Sequence, residues 1–134
     1  MNFMKILTRD QILQVDDLKY EEVEIPEWGE GCGVRVRTMT AVERDQLVNA
    51  AFADGERNAE NFRARLCALC VVDEAGKNLF SFNDARALGR KSTISMERIA
   101  EVALRLSGLG VVALEDTKKN YSDSPSDVSV SVSA

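Results

Sequence analysis

Three cysteines, Cys32, Cys67 and Cys70, are the side chains whose type and spacing first point to chemistry, because two of them form a C-x-x-C pair. Such a pair serves either in a zinc site or as a thiol redox couple. A zinc site needs four ligands, and only Cys32 remains in a chain without histidine. A thioredoxin-type couple begins a helix, whereas Cys67 and Cys70 fall toward the end of a helical pattern. We therefore expect both to be reduced core residues, with no metal and no other cofactor.

The missing histidine also removes the side chain that most often carries acid and base catalysis near neutral pH. Carboxylates, lysines and cysteines would need neighbours that shift their pKa values, and no such cluster is visible in the spacing. The sequence therefore favours binding over catalysis. We predict no catalytic residues and no enzymatic activity.

Composition narrows the class of partner. The 134 residues fit one domain, and 45% hydrophobic with 29% charged residues is ordinary globular composition. A net charge of -5 disfavours binding to nucleic acid, whose phosphates select lysine and arginine. Apolar stretches fall short of the roughly 20 residues of a membrane span, and the first residues lack a signal-peptide core. We expect protein partners, no nucleic acid, no membrane, and a cytoplasmic location.

Local patterns predict an α+β fold that is predominantly α-helical, with a small N-terminal β-hairpin at about residues 20–38. Ahead of the hairpin, Thr8 and Gln11 form a capping box for a short helix from Arg9 to about Gln14. In the hairpin, alternation places valines and Ile25 on one face. Glutamates alternate with them on the first strand, and arginines on the second. Cross-strand ion pairs are therefore expected for Glu22 and Glu24 with Arg35 and Arg37.

About four helices follow the hairpin. The first is capped by Thr40 and runs to Ala53, and the second covers about residues 59–72. A short third helix begins at Ser81 and ends near residue 88. The last covers about residues 93–107 and is terminated by Gly108 in the left-handed conformation.

Composition changes after residue 114, and this change divides the chain. Residues 1–114 are expected to form the helical domain with its hairpin. Residues 115–134 are polar, with valine and serine alternating near the end, and are expected to form a disordered tail. The valine and serine alternation leaves open a second interpretation, in which the tail adds a strand to a sheet edge.

Seven segments, in their order along the chain, carry a resemblance to a known family. They are LTRDQIL at 7–13, EVEIPEWG at 22–29, VRVRTMT at 34–40, ERD at 43–45, NFRARLCALC at 61–70, LGRKS at 88–92 and VALRLSGL at 102–109. Together they resemble the tail assembly chaperone family of long-tailed bacteriophages and related prophages. The likeness covers about residues 3 to 114 and rests on the whole ordered set.

The resemblance implies a chaperone that binds the tape measure protein and helps recruit tail tube subunits during tail assembly. It implies self-association, action in the host cytoplasm, and absence from the mature virion. Members of that family commonly have a longer product made by ribosomal frameshifting. Lys118-Lys119-Asn120 is compatible with an adenine-rich slippery run, although lysine pairs are also common on solvated surfaces.

Nine residues are candidates for partner binding, because a chaperone needs exposed apolar surface ringed by charge. They are Leu47, Phe52, Phe62 and Leu66 on helix stripes, Arg63, Arg65, Arg98 and Arg105 as rim contacts, and Trp28 at the hairpin tip. Each has a structural alternative: apolar stripes pack into cores, arginines are solvated, and Trp28 folds over the hairpin.

Two rival functions remain. One is another small phage structural adaptor or head-tail connector protein, which would stay in the virion. The other is an enzyme that uses carboxylates or the pair Cys67 and Cys70, for which a closed pocket with a titratable pair is the required sign.

Overall fold

The structure, a computed structural model, describes residues 3–52 and 61–109. Within these ranges it has the predicted α+β fold, with five α-helices and a three-stranded antiparallel sheet in which one further strand joins the predicted hairpin. The predicted tail at 115–134 lies outside the described residues. The elements in chain order are α1 Arg9–Gln14, β1 Tyr20–Glu24, β2 Gly33–Arg37, α2 Ala41–Ala51, α3 Phe62–Cys70, β3 Val71–Val72, α4 Ala85–Leu88 and α5 Thr93–Leu106.

Capping boxes set the starts of the helices, as the sequence predicted. The Thr8 hydroxyl accepts from the Gln11 amide, and the Gln11 side chain accepts from the Thr8 amide. Thr40 and Glu43 form the same pair at α2. A third box begins at Ser81, where a 3-10 helix over Phe82–Asp84 leads into α4. Local side-chain chemistry therefore fixes where these helices begin.

The hairpin has the predicted pairing at its centre and a different one at its end. Glu22 lies opposite Arg35, and Val23 lies opposite Val34. The predicted pairing of Arg37 with a glutamate across the strands is wrong, because Arg37 lies opposite Tyr20. Its guanidinium turns instead into a buried contact with α2, described below.

A third strand replaces the last residues of the predicted helix over 59–72. Helix α3 ends at Cys70, and Val71 and Val72 pair with Val36 and Arg35 of β2. The two β-branched residues suit a pleated, buried strand. A turn follows, closed by a hydrogen bond of 2.7 Å from the Asp73 amide to the Lys77 carbonyl. Residues 59 and 60 of the predicted helix lie outside the described ranges.

Helix α3 is the centre of the core. It packs against α2, α4 and α5, and seven of its nine residues are buried. Helix α5 crosses from α3 onto the hairpin strands β1 and β2, so it joins the helical and sheet parts. Gly108 ends α5 in the left-handed conformation with φ 72°, as predicted. Within the described ranges, no helix combines the length and apolar character that a membrane span requires.

Candidate partner-binding surfaces

Trp28 lies on a short 3-10 helix, Pro26–Trp28, between β1 and β2. The Trp28 amide donates to the Ile25 carbonyl at 2.9 Å, and Ile25 itself is fully buried beneath the turn. The turn therefore fixes the backbone at Trp28, and 39% of the residue remains exposed. Trp28 is thus exposed at the hairpin tip, and its contact with a partner stays a prediction.

An open groove of about 520 Å³ runs beside the indole. We call it the Trp28 groove; it is lined by Trp28, Phe80, Asp84, Ala87, Leu88 and Lys91. Most of this lining is apolar, with one carboxylate and one ammonium group among it. A groove of this kind can receive one or two apolar side chains of a partner helix and orient it by the two opposite charges.

An ion pair ties the Trp28 turn to α5. The Arg98 guanidinium donates to both carboxylate oxygens of Glu27 at 2.9 and 2.8 Å. The hydrogen bond that Arg98 donates to Glu27 lowers the pKa of the carboxylate. The same bond raises the pKa of Arg98, so both groups stay charged at neutral pH. The bidentate geometry fixes the direction of the turn relative to the helix.

The four arginines predicted to contact a partner each have a partner within the chain. Arg63 of α3 pairs with Glu97 of α5, and Arg65 donates to the Ala50 carbonyl of α2 at 3.3 Å. Arg105 of α5 donates to Glu21 of β1 at 2.7 Å, and Arg98 contacts Glu27 as described. Their common role in the structure is to join α3 and α5 to neighbouring elements.

The apolar candidates on α2 and α3 are core residues. Leu47, Phe62 and Leu66 are buried, and Phe52 is half-buried against the same core. The prediction that Leu47, Phe62 and Leu66 offer surface to a partner is therefore not met in this chain. The stripe of α2 faces α3, and that of α3 faces α2 and α5, so the structural alternative holds for Leu47, Phe62 and Leu66.

A buried charged cluster joins β2 to α2 and was missed at the sequence level. Arg37 donates to both oxygens of Glu43 at 2.7 Å, and also to the Asn78 side-chain oxygen at 2.6 Å. Burial alone would raise the pKa of Glu43, but hydrogen bonds from Arg37 and Thr40 outweigh it and lower the pKa. A carboxylate held in this way is a poor proton acceptor, so the cluster serves structure. The capping role of Glu43 was visible in sequence; its second role was not.

Cys67 and Cys70 lie on α3 in the core, where both are buried. Burial is the main cause that raises the pKa of each thiol to about 12. Thiols of this kind stay protonated and unreactive at neutral pH. In the part of the chain that the structure describes, no three Cys, Asp or Glu side chains are grouped to hold a metal ion.

The most exposed apolar residues lie ahead of the hairpin, in residues 3–15, which we call the N-terminal arm. Seven of its large apolar side chains are exposed, and Phe3 and Met4 reach 84%. The seven exposed residues are Phe3, Met4, Ile6, Leu7, Ile12, Leu13 and Val15. No residue of α1 is buried. The sequence predicted this helix correctly but did not predict that its apolar side chains are exposed. The feature that could have indicated their exposure is the density of apolar residues in a segment too short to build a core.

Comparison of the chain with protein-family models, with curated proteins and with solved structures gives no match.

Proposed function

We propose that this chain is a tail assembly chaperone of a long-tailed bacteriophage or prophage. It binds the tape measure protein in the host cytoplasm, associates with further copies of itself, helps recruit tail tube subunits, and leaves before the virion is complete. Two things support the proposal. The first is the ordered resemblance over residues 3 to 114, and the second is the apolar surface that the folded chain leaves uncovered.

The Trp28 groove is the observation that carries the proposal. A tryptophan held at the surface by its own turn, beside Phe80 and Leu88, is the kind of anchor that dominates binding energy at protein interfaces. The paired arginines and the inert thiols are structural in this account, so binding is assigned to the apolar surface.

The mechanism that suits this surface is helix-in-groove binding. A long helical client presents apolar side chains at every third or fourth residue, and each occupied groove covers one such group. Covering these side chains keeps client chains from associating with one another before tube subunits arrive. Asp84 and Lys91 in the groove lining would set the direction of the bound helix by their opposite charges.

Co-expression with the tape measure protein of the same virus, followed by pull-down, tests the proposal. Wild-type chain should retain the tape measure protein, and Trp28→Ala should reduce its recovery by about tenfold or more, as expected for loss of a central aromatic anchor. Tyr20→Ala is the matched control, because Tyr20 is an aromatic residue of similar exposure, 44%, on β1. Equal recovery with wild type and Trp28→Ala would rule out the groove as the client site.

Mass spectrometry of purified virions separates this proposal from the alternative, a structural adaptor or head-tail connector protein. A chaperone is absent from the finished particle, whereas an adaptor is present in a fixed number of copies. Detection of the chain in stoichiometric amount would favour the adaptor.

A further inference from the structure

The N-terminal arm has a defined conformation before it binds a partner. The Thr8 capping box closes the start of α1, and Leu7 and Ile12 occupy the two positions of a hydrophobic staple. A segment ordered by its own local contacts loses less conformational entropy on binding. Its exposed apolar side chains are therefore presented on a preformed scaffold.

A second groove of the chain matches the arm in chemistry. It has a volume of about 620 Å³ at the hairpin and the β3 turn, and we call it the sheet groove. Val23, Val34 and Leu79 contribute apolar lining. Charged groups of the lining are four carboxylates and one guanidinium: Glu22, Glu24, Asp73, Glu74 and Arg35.

The opposite charges of the arm and the sheet groove also favour their association. The arm carries Lys5, Arg9 and Asp10; Arg9 is paired with Asp10 at 2.8 Å, so Lys5 supplies the excess positive charge. The lining of the sheet groove carries four carboxylates against one guanidinium and is negative. Attraction between a basic apolar segment and an acid-lined apolar groove adds specificity and speeds association. Arg35, the guanidinium of the lining, is already held by Glu22 at 3.7 Å and by the Glu74 carbonyl at 3.0 Å.

The connection between arm and sheet favours binding to another copy. Lys19 is fixed at the start of the hairpin by reciprocal hydrogen bonds of 2.9 Å with Thr38. Only residues 16–18 link Lys19 to the arm, and Cys32 of the sheet groove lies at the other end of the hairpin. Short hinges of this kind favour exchange between chains.

We propose that two copies of this chain exchange N-terminal arms, so that residues 3–15 of each lie in the sheet groove of the other. The exchange is two-fold symmetric, which closes the assembly at a dimer. Two arms and two grooves are covered at once. The arm is the binding element, and the sheet groove is its receptor.

Sedimentation of the full chain tests whether the arm joins the copies. Wild type should be a dimer in the micromolar range, and Ile12→Asp should be a monomer with unchanged circular dichroism. Ile94→Asp is the matched control, because Ile94 is also exposed on a helix, at 59% against 57% for Ile12. A wild-type monomer, or an Ile12→Asp dimer, would overturn the proposal.

A charge-reversal pair tests which groove receives the arm. One chain carries Lys5→Glu with Arg9→Glu, and the other carries Glu24→Lys with Glu74→Lys. Each alone should be monomeric, because its arm and groove then have the same sign. Mixed, they should form the heterodimer, and added salt should weaken it. Failure of the mixture to associate would refute the sheet groove as the receptor.

Disulfide trapping distinguishes exchange between chains from folding back within one. Chains with Lys5→Cys, Ile12→Cys or Val15→Cys, each combined with Cys32→Ser, are mixed with wild type, whose exposed thiol is Cys32. Oxidation should link the two different chains at one or more arm positions. In the same arm variants with Cys32 retained, closure only within single chains would contradict exchange.

This inference specifies the self-association that forms part of the proposed function, and it rests on that part. Arm exchange is measured with the purified chain alone, and capture of the tape measure protein is measured separately with Trp28→Ala. Failure of arm exchange would remove this form of self-association and leave client capture standing, whereas failure of client capture would leave arm exchange standing.

Discussion

The N-terminal arm and the body, by which we mean residues 16–52 and 61–109, place similar side chains in opposite surroundings. In the body, Leu66 on α3 is 0% exposed, and the arginines of α3 and α5 have partners in the chain. In the arm, Ile12 and Leu13 sit on a helix with no buried residue. The body therefore buries its apolar residues in its own core, whereas the arm leaves them exposed, and we propose that a second copy of the chain covers them.

The buried pair Arg37 and Glu43 should give the largest effect in the body. Glu43→Ala leaves the Arg37 guanidinium buried without its carboxylate, and we expect a loss of about 3–5 kcal/mol in the free energy of unfolding. Chemical denaturation measures it. Glu101→Ala, which removes an exposed carboxylate from α5, is the control and should change stability by less than about 0.5 kcal/mol. A small effect of Glu43→Ala would mean that the cluster is hydrated.

Replacing one leucine with alanine in the body and one in the arm compares how much each region contributes to the free energy of unfolding. Leu66→Ala should cost about 2–5 kcal/mol, because it opens a cavity in the core. Leu13→Ala should change the free energy of unfolding by less than about 0.5 kcal/mol in dilute solution, because Leu13 is exposed. Denaturant titrations of both variants under the same conditions are the measurement. Similar losses in the two variants would end the distinction between arm and body.

Acid should weaken the body through Glu43. Its pKa is lowered in the folded chain relative to the ordinary value of 4.5, so folding favours the charged carboxylate. That contribution is fully present above pH 4.5 and is lost as the pH falls through the folded pKa. Thermal midpoints between pH 7 and pH 3 should show this loss, and Glu43→Gln should flatten it. An unchanged slope in Glu43→Gln would assign the acid sensitivity to other carboxylates.

The cap of α1 should give the smallest effect on the whole chain. Thr8→Ala removes the hydroxyl that accepts from the Gln11 amide, which destabilises α1 by about 1 kcal/mol. Amide exchange in α1 should speed up, while the midpoint of global unfolding stays the same. The contrasting outcome is a lower global midpoint, which would show that α1 folds together with the body.

Sequence reasoning succeeded where the cause is local and failed where it is distant. The starts of α1 and α2 follow from capping side chains within three residues of one another. Strand β3 is only two residues long and exists because β2, some 35 positions earlier, offers it an edge. No local pattern contains that information. The helical spacing around it therefore continued through Val71 and Val72.

The candidate partner-binding residues show the same difference between local and distant causes. Trp28 was found because a tryptophan among glycines and glutamates stands out in sequence. Arg37 was misassigned because alternation gives the face of a strand but not the helix that covers it. The stripe containing Leu47 and Leu66 gave no sign of whether a second chain or the same chain would bury it. Only the packing of α2 and α3 decides that question.

Hydrogen exchange of the wild-type chain, measured from dilute to concentrated solution, tests the difference between the arm and the body most directly. The account predicts that amides of α1 exchange fast in dilute protein and slow down as concentration rises, while amides of α3 stay protected throughout. Protection of α1 equal to that of α3 at the lowest concentration, with no dependence on concentration, would contradict it.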